Sequence, residues 1–160
     1  GWVNPSGNDD RYVAETANIH PDATLVSPVV IDSDAVVEAG AVVGPYAAIG
    51  ESVTIGAGAV LRDAVVDSDT TVGPNTTATE LVVGQGCTLG PALTAAGGPA
   101  DVVLNEQVYS DIDLGGVIAD RVDIGGDATL EPGALVGPDV TVGDGVVVQG
   151  HIDADSEVVR

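Results

Sequence analysis

A six-residue period runs through most of this 160-residue chain. Aliphatic residues recur at every sixth position, and a small or β-branched residue follows most of them four residues later. An α-helix would need apolar residues three and four apart, and a simple strand would need alternation, so neither explains the period. The period fits a short strand followed by a bend, three of which close one coil that stacks on the next at about 4.8 Å. The repeat therefore predicts an all-β, single-stranded parallel β-helix.

The aliphatic series falls into tracts that are separated by slips of one residue. The first tract begins at Val13, and Val65 takes the small inward position beside the first slip. The last tract is read from Ile112 through Ile118 onward at an unbroken spacing of six. Cys87 occupies a small inward position, which predicts a buried structural residue rather than a reactive thiol.

Glycine often follows the aliphatic residue directly, at the predicted bend. Its freedom to adopt positive φ predicts that it relieves backbone strain there. The glycines in this position are Gly44, Gly50, Gly56, Gly73, Gly84, Gly90, Gly125, Gly137 and Gly143.

The repeat also divides the chain. Residues 1–12 lack it and are predicted to be a linker or lead-in arm, and residues 13–160 form the β-helix domain. Residues 95–111 interrupt the series with a Gly-rich turn and a short apolar stretch, which predicts an inserted arm or hairpin. The chain contains no Met, from which we expect it to be a processed product or an excised piece of a longer protein.

Charge is the second constraint. The chain carries 25 acidic residues against four arginines and no lysine, a formal net charge of −21. This balance resembles the cytoplasmic proteins of salt-in halophiles, where molar salt screens charge within a Debye length of about 3 Å. We therefore expect a halophilic origin and a cytoplasmic location. The absence of a basic stripe argues against nucleic acid and anionic membranes as partners, and no apolar run is long enough to predict a membrane span.

Few residues are candidates for chemistry. His20 and His151 are read as bend residues, with a general base as the less favoured interpretation of His151. Two histidines this far apart do not suggest the zinc site of some β-helix enzymes, and the Asp-rich bends lack the dedicated loop of a calcium cage. No metal site is predicted. A surface β-helix such as an ice binder would need a regular Thr array, for which the threonines between residues 70 and 79 are too local.

The order of the features resembles a known family. Two repeat tracts flank an arm that follows Leu89-Gly90-Pro91 and returns at Leu114-Gly115-Gly116-Val117-Ile118. This arrangement is similar to the C-terminal left-handed β-helix, or hexapeptide-repeat, domain of archaeal sugar-1-phosphate nucleotidyltransferases. These include glucose-1-phosphate thymidylyltransferase-like enzymes and bifunctional N-acetylglucosamine-1-phosphate uridyltransferases. The opening Trp2-Val3 and the closing residues 157–160 look like the haloarchaeal members. The left hand of the coil is taken from this resemblance.

The resemblance implies a structural, trimerising domain with no cofactor of its own. The nucleotidyltransferase domain that uses Mg²⁺ in such enzymes is not contained in these 160 residues. The alternative it implies is an acetyltransferase that acts on an amino sugar 1-phosphate with acetyl-CoA. Active members carry Asn, often with Tyr, before the arm and a basic run before the return, whereas residues 93–96 and 109–113 here lack both patterns. Asn105 and Tyr109 are the polar candidates that the arm offers to such a cleft, with a sugar phosphate as the candidate ligand.

Overall fold

A computed structural model of the chain describes residues 1–3 and 10–160, and these residues form strands and no helix. Residues 4–9 of the predicted linker lie outside the described residues. The strands, in chain order, are β1 (Trp2–Val3), β2 (Arg11–Ala14), β3 (Asn18–Ile19), β4 (Thr24–Leu25), β5 (Val29–Ile31), β6 (Val36–Val37), β7 (Val42–Val43), β8 (Ala47–Ile49), β9 (Thr54–Ile55), β10 (Val60–Arg62), β11 (Ala64–Val66), β12 (Thr71–Val72), β13 (Thr77–Thr79), β14 (Leu81–Val83), β15 (Thr88–Leu89), β16 (Thr94–Ala95), β17 (Pro99–Leu104), β18 (Gln107–Asp113), β19 (Gly116–Ile118), β20 (Asp123–Ile124), β21 (Thr129–Leu130), β22 (Leu135–Val136), β23 (Thr141–Val142), β24 (Val147–Val148), β25 (His151–Ile152) and β26 (Glu157–Val158).

Three long sheets form the faces of a prism. The first face has the strand order β1-β2-β5-β8-β11-β14-β19-β22-β25. The second face contains β3, β6, β9, β12, β15, β20, β23 and β26, and the third contains β4, β7, β10, β13, β16, β21 and β24. Every pairing within these faces is parallel except that of β1 with β2. The predicted all-β parallel β-helix is confirmed, and its architecture is consistent with the left hand.

Inward side chains make one continuous apolar core along the prism. Each coil adds a large aliphatic residue and a smaller residue per face, as the six-residue period predicts. Among the residues that the structure describes, two polar side chains are fully buried in this core, Thr70 and Thr76. The Thr70 hydroxyl donates to the carbonyl of Gly84 at 2.8 Å and accepts the Cys87 N–H at 3.1 Å. Cys87 is buried, as predicted, and its thiol donates to the Ala119 carbonyl at 3.0 Å.

Two residues that the period placed in the core lie outside it. Val65 is 48% exposed, and its neighbour Ala64 points inward in register with Ala47. The corner before β11 is one residue shorter than the preceding ones, and the shortening reverses which residue of Ala64-Val65 faces the core. Ile112 is 37% exposed because it belongs to β18 of the arm. The last tract therefore begins its core series at Ile118.

The bend glycines have a different physical origin from the one that the sequence suggested. Among the nine, only Gly44 has a positive φ, of 102°. Seven of the others stand where the next coil passes too close for a side chain: a Cβ on Gly56 would lie 2.5 Å from the backbone nitrogen of Pro74. Gly143 has room for one, since the nearest atom to a Cβ there would be 3.5 Å away. Positive φ falls two residues after each of the nine, often on Asp or Asn such as Asn75 and Asp127. Coil stacking, rather than backbone strain, selects most of these glycines.

The interruption between the tracts is an antiparallel hairpin that we call the arm, residues 96–115. It pairs β17 with β18 and joins β16 on the third face to β19 on the first. Its turn consists of Asn105 and Glu106, both with positive φ, of 51° and 64°. This is the conformation of a tight two-residue hairpin turn.

Candidate functional site: an uncharged face and the base of the arm

The outward side chains of the first face form an uncharged ladder. Successive coils place them directly above one another, about 4.8 Å apart. The register pairs them in the order Tyr12, Val30, Ala48, Val65, Val82, Val117 and Leu135. We call these seven residues the apolar ladder. The next residue in this register is His151, in the last coil.

Much of the apolar ladder is open to solvent. Val65 and Val82 are 48% and 41% exposed, and Ala48, the smallest member, leaves a recess between Val30 and Val65. Two shallow grooves of about 450 and 290 Å³ meet at this recess. Large apolar surface of this kind, in a chain with a net charge of −21, indicates an interaction surface.

Acids concentrate at the corner between the first and second faces. This acidic corner carries Glu15, Asp32, Asp34, Glu51, Asp67, Asp69, Asp120, Asp139, Asp153 and Asp155. Arg121 lies among them and forms a bidentate ion pair with Asp139, with N–O distances of 2.7 and 2.8 Å. The hydrogen bond from Arg121 lowers the pKa of the Asp139 carboxyl, and the same bond and charge raise the pKa of the Arg121 guanidinium. Carboxylates therefore line this side of the apolar ladder, with fewer on the other side, where Asp10, Asp63 and Glu80 lie, and none is a member of the ladder.

Glu80 holds both ends of the arm at the corner between the third and first faces. Its carboxylate accepts the N–H of Gly98 at 3.0 Å, and its backbone carbonyl accepts the N–H of Gly115 at 2.7 Å. A Cβ on Gly115 would collide with the carbonyl oxygen of Thr79. This close approach explains why the chain returns to the prism through a Leu-Gly pair.

A small cleft of about 180 Å³ separates the arm from the last coils. It is lined by Asp101, Val102, Val103, Gly133, Leu135, Gly150 and His151. The Nε2 of His151 lies 3.9 Å from an oxygen of Asp153, so the imidazole has a nearby carboxylate. His151 is an outward strand residue in β25 rather than the bend residue that the sequence suggested.

The structure does not bring the two predicted arm residues to this cleft. Asn105 lies in the exposed turn of the hairpin. The Tyr109 hydroxyl, also exposed, donates to the side-chain oxygen of Gln107 at 3.2 Å. Their assignment to a sugar-phosphate site therefore stays a prediction.

The remaining sites named from the sequence are separate in space. His20 follows β3 in the first coil and accepts the Asp22 N–H at 3.0 Å, whereas His151 is in the last coil. Within residues 1–3 and 10–160, no group of three or more His, Cys, Asp or Glu side chains is placed to hold a metal ion. In the same part of the chain, no helix could cross a membrane. Thr70 and Thr76 point inward, whereas Thr71 points outward and stacks between Thr54 and Thr88 on the second face.

Sequence reasoning missed the apolar ladder. Its members precede the large aliphatic residue of every third repeat, as Val30 precedes Ile31 and Val82 precedes Val83. A search at the period of a whole coil, 17 or 18 residues, would have found them, because all outward residues of one face then align.

Comparison with known proteins gives one family match. The family model described as "GMPPB C-terminal domain" matches residues 25–111. A search of the curated proteins finds no significant match.

Solved structures with similar folds include three sugar-modifying enzymes. The UDP-N-acetylglucosamine O-acyltransferase from Moraxella catarrhalis RH4 is 15% identical over 92% of this chain and 67% of its own, with a TM-score of 0.42. An N-acyltransferase from Bacillus cereus, solved with dTDP-4-amino-4,6-dideoxyglucose and coenzyme A, is 16% identical over 89% of this chain and 75% of its own, with a TM-score of 0.47. The perosamine N-acetyltransferase from Caulobacter crescentus is 19% identical over 91% of this chain, with a TM-score of 0.33, and this chain spans 50% of its length.

Proposed function

From the premise that this chain belongs to the GMPPB C-terminal domain family, the β-helix domains of nucleotidyltransferases, we propose that it is the assembly domain of a sugar-phosphate nucleotidyltransferase. Its role is to hold copies of the enzyme together as a homotrimer, and it performs no catalysis of its own. The nucleotidyl transfer, with its Mg²⁺, belongs to the catalytic domain of the enzyme.

The apolar ladder is the observation that carries this proposal. Burial of apolar surface stabilises association by roughly 25 cal/mol per Å², whereas the approach of two highly acidic surfaces costs free energy. The ladder lets copies of a chain with a net charge of −21 meet without bringing carboxylates together. From Tyr12 to Leu135 it spans seven rungs with no charged side chain.

The chain's own residues offer little for acyl transfer. The cleft beneath the arm holds one imidazole, His151, and one carboxylate, Asp101, and its lining includes no arginine to bind phosphate groups. The basic run that active members carry before the return of the arm is replaced by an acidic segment, residues 109–113. These features favour an assembly role over a catalytic one.

A matched pair of substitutions tests the assembly role. Val65→Asp places a carboxylate in the centre of the apolar ladder, and Thr71→Asp places one at the equivalent outward position of the second face, six residues later in the same coil. Both sites have uncharged neighbours in the coils above and below. In sedimentation velocity at molar salt we expect Val65→Asp to be monomeric and Thr71→Asp to stay trimeric. A trimeric Val65→Asp variant would refute the ladder as the interface.

The second candidate function is acetylation of an amino sugar 1-phosphate by acetyl-CoA. The cleft under the arm favours it, because His151 could act there as a general base with Asp153 beside it. The test is release of coenzyme A thiol with glucosamine 1-phosphate in high salt. Turnover that is lost in His151→Asn would establish this activity, and the absence of turnover in the unaltered chain would reject it.

We also propose that the protein is halophilic and cytoplasmic. The charge of −21, with four arginines and no lysine, fits a cytoplasmic protein of a halophile. The same charge disfavours nucleic acid and anionic membranes as partners, which leaves other copies of the chain and a sugar phosphate as the expected ones.

A further inference from the structure

Three-fold symmetry restricts which surface can meet the apolar ladder. In a closed ring of three, each contact joins two different patches, because neighbouring copies are rotated by about 120°. The outward directions of the three faces of one prism are also about 120° apart. When the prisms run parallel, the directions from one copy to its two neighbours differ by about 60°. If the first face of a copy points at one neighbour, the other neighbour therefore lies opposite a corner of that copy rather than opposite one of its faces.

Only two corners border the first face, and charge distinguishes them. Over the three coils around Ala48, the acidic corner carries five carboxylates, Asp32, Asp34, Glu51, Asp67 and Asp69. Over the same coils, the other corner, between the third and first faces, carries Pro28, Pro45, Tyr46 and one carboxylate, Asp63, and the arm leaves the prism further along it. We call it the arm corner. Apolar packing against the ladder around Ala48 is therefore open to the arm corner and costly for the acidic one.

Tyr46 is the most distinctive residue of the arm corner. Its side chain is 66% exposed, and its backbone has a positive φ of 57°. Gly, Asp, Asn and Ser occupy most of the equivalent positions in the other bends, whereas an aromatic residue in this conformation is strained. Among the described residues with positive φ, Tyr46 is the only aromatic one. Neither the conformation nor the exposure favours a tyrosine in an isolated chain.

The recess over Ala48 lies at the height of Tyr46. Rotation about an axis parallel to the prism does not shift a residue along the prism, so Tyr46 of one copy faces the rung of the next copy that contains Ala48. Tyr46 directly precedes β8, the strand that contains Ala48. That rung is the one where the smallest member of the ladder leaves space between Val30 and Val65.

We infer that Tyr46 of each copy inserts into the recess over Ala48 of the next copy and closes the ring of three. This inference rests on the proposed trimer and specifies its contact. Above Tyr46, the arm continues the same corner with exposed Val103 and Val108.

Two single variants and their mixture test the contact. Tyr46→Asn removes the aromatic ring, so we expect a monomer. Because asparagine tolerates positive φ, the fold of this variant should be at least as stable as that of the unaltered chain. Ala48→Phe fills the recess and should also give a monomer. Thr54→Phe, at the equivalent outward position of the second face, is the matched control and should stay trimeric.

Mixing the two monomeric variants distinguishes this contact, which joins two different patches, from a contact in which the same patch of both copies meets. Tyr46 also lines the groove over Ala48 in its own copy, but Tyr46→Asn keeps the floor and walls that Ala48, Val30 and Val65 provide. Ala48→Phe keeps the tyrosine, so the mixture should form one contact per pair. Sedimentation velocity should then show a heterodimer of twice the 15.8 kDa chain mass. A trimeric Tyr46→Asn variant, or a mixture that stays monomeric, would overturn the inference and leave the ladder proposal standing. A monomeric unaltered chain would overturn both.

Discussion

Ile112 and Ile118 provide a direct test of where the core begins again after the arm. The six-residue period makes them equivalent, whereas the structure places Ile118 in the core at 1% exposure and Ile112 in the arm at 37%. Replacing isoleucine by alanine removes three carbon atoms, which at about 0.8 kcal/mol per buried carbon costs roughly 2.4 kcal/mol. A residual cavity of about 40 Å³ adds roughly 1 kcal/mol.

We therefore expect Ile118→Ala to lower the free energy of unfolding by about 3 kcal/mol. Ile112→Ala should lower it by about 1 to 1.5 kcal/mol, because part of the side chain is already in water and the open site leaves no cavity. The measurement is urea unfolding followed by far-ultraviolet circular dichroism, at fixed salt and fixed chain concentration. Equal losses for the two variants would refute the placement of Ile112 in the arm.

Three further predictions concern charge and the buried thiol. Because burial raises the pKa of Cys87, the unfolded chain loses the thiol proton first, so stability should be complete below about pH 9 and fall above it. The fall measured by urea unfolding should be shallower in Cys87→Ala, and identical slopes would contradict it. Because Arg121 lowers the pKa of Asp139, the pair contributes stability above the carboxyl's ordinary pKa of 3.8 that is lost as pH falls through the lower folded pKa. In Arg121→Gln, the pKa of Asp139 followed by carboxyl carbon NMR should rise, and an unchanged value would exclude the ion pair in solution. The urea midpoint should increase from 0.1 to 1 M NaCl, since the Debye length shrinks from about 10 to about 3 Å, and a falling midpoint would contradict self-repulsion among the acids.

The period of the sequence predicts the fold because every repeat adopts the same local geometry. Inward residues such as Ile31 and Leu130 recur with the strands, and the parallel stacking of coils follows from them. The period fails where the chain changes the length of a corner, as at Val65. It also fails where an apolar strand belongs to another element, as at Ile112. Neither wrong placement can be recognised from a single repeat, because the sequence of a repeat does not show whether its valine or isoleucine is exposed or buried.

The candidate site was harder to predict for a related reason. The apolar ladder is a property of coils rather than of repeats, so its members are separated by 17 or 18 residues in most of the chain, with the arm between Val82 and Val117. The role of Tyr46 depends on its positive φ and on the height of Ala48 in the neighbouring strand, and neither is visible in the sequence. The bend glycines were recognised for their position, but their cause, the close approach of the next coil, required the structure.

The molar mass of the unaltered chain in molar salt tests the central claim most directly. Light scattering coupled to size-exclusion chromatography reports this mass without assumptions about shape. The account predicts three times the 15.8 kDa of one chain, stable over a wide range of chain concentration. A single species of 15.8 kDa at all concentrations would contradict the assembly role of the apolar ladder.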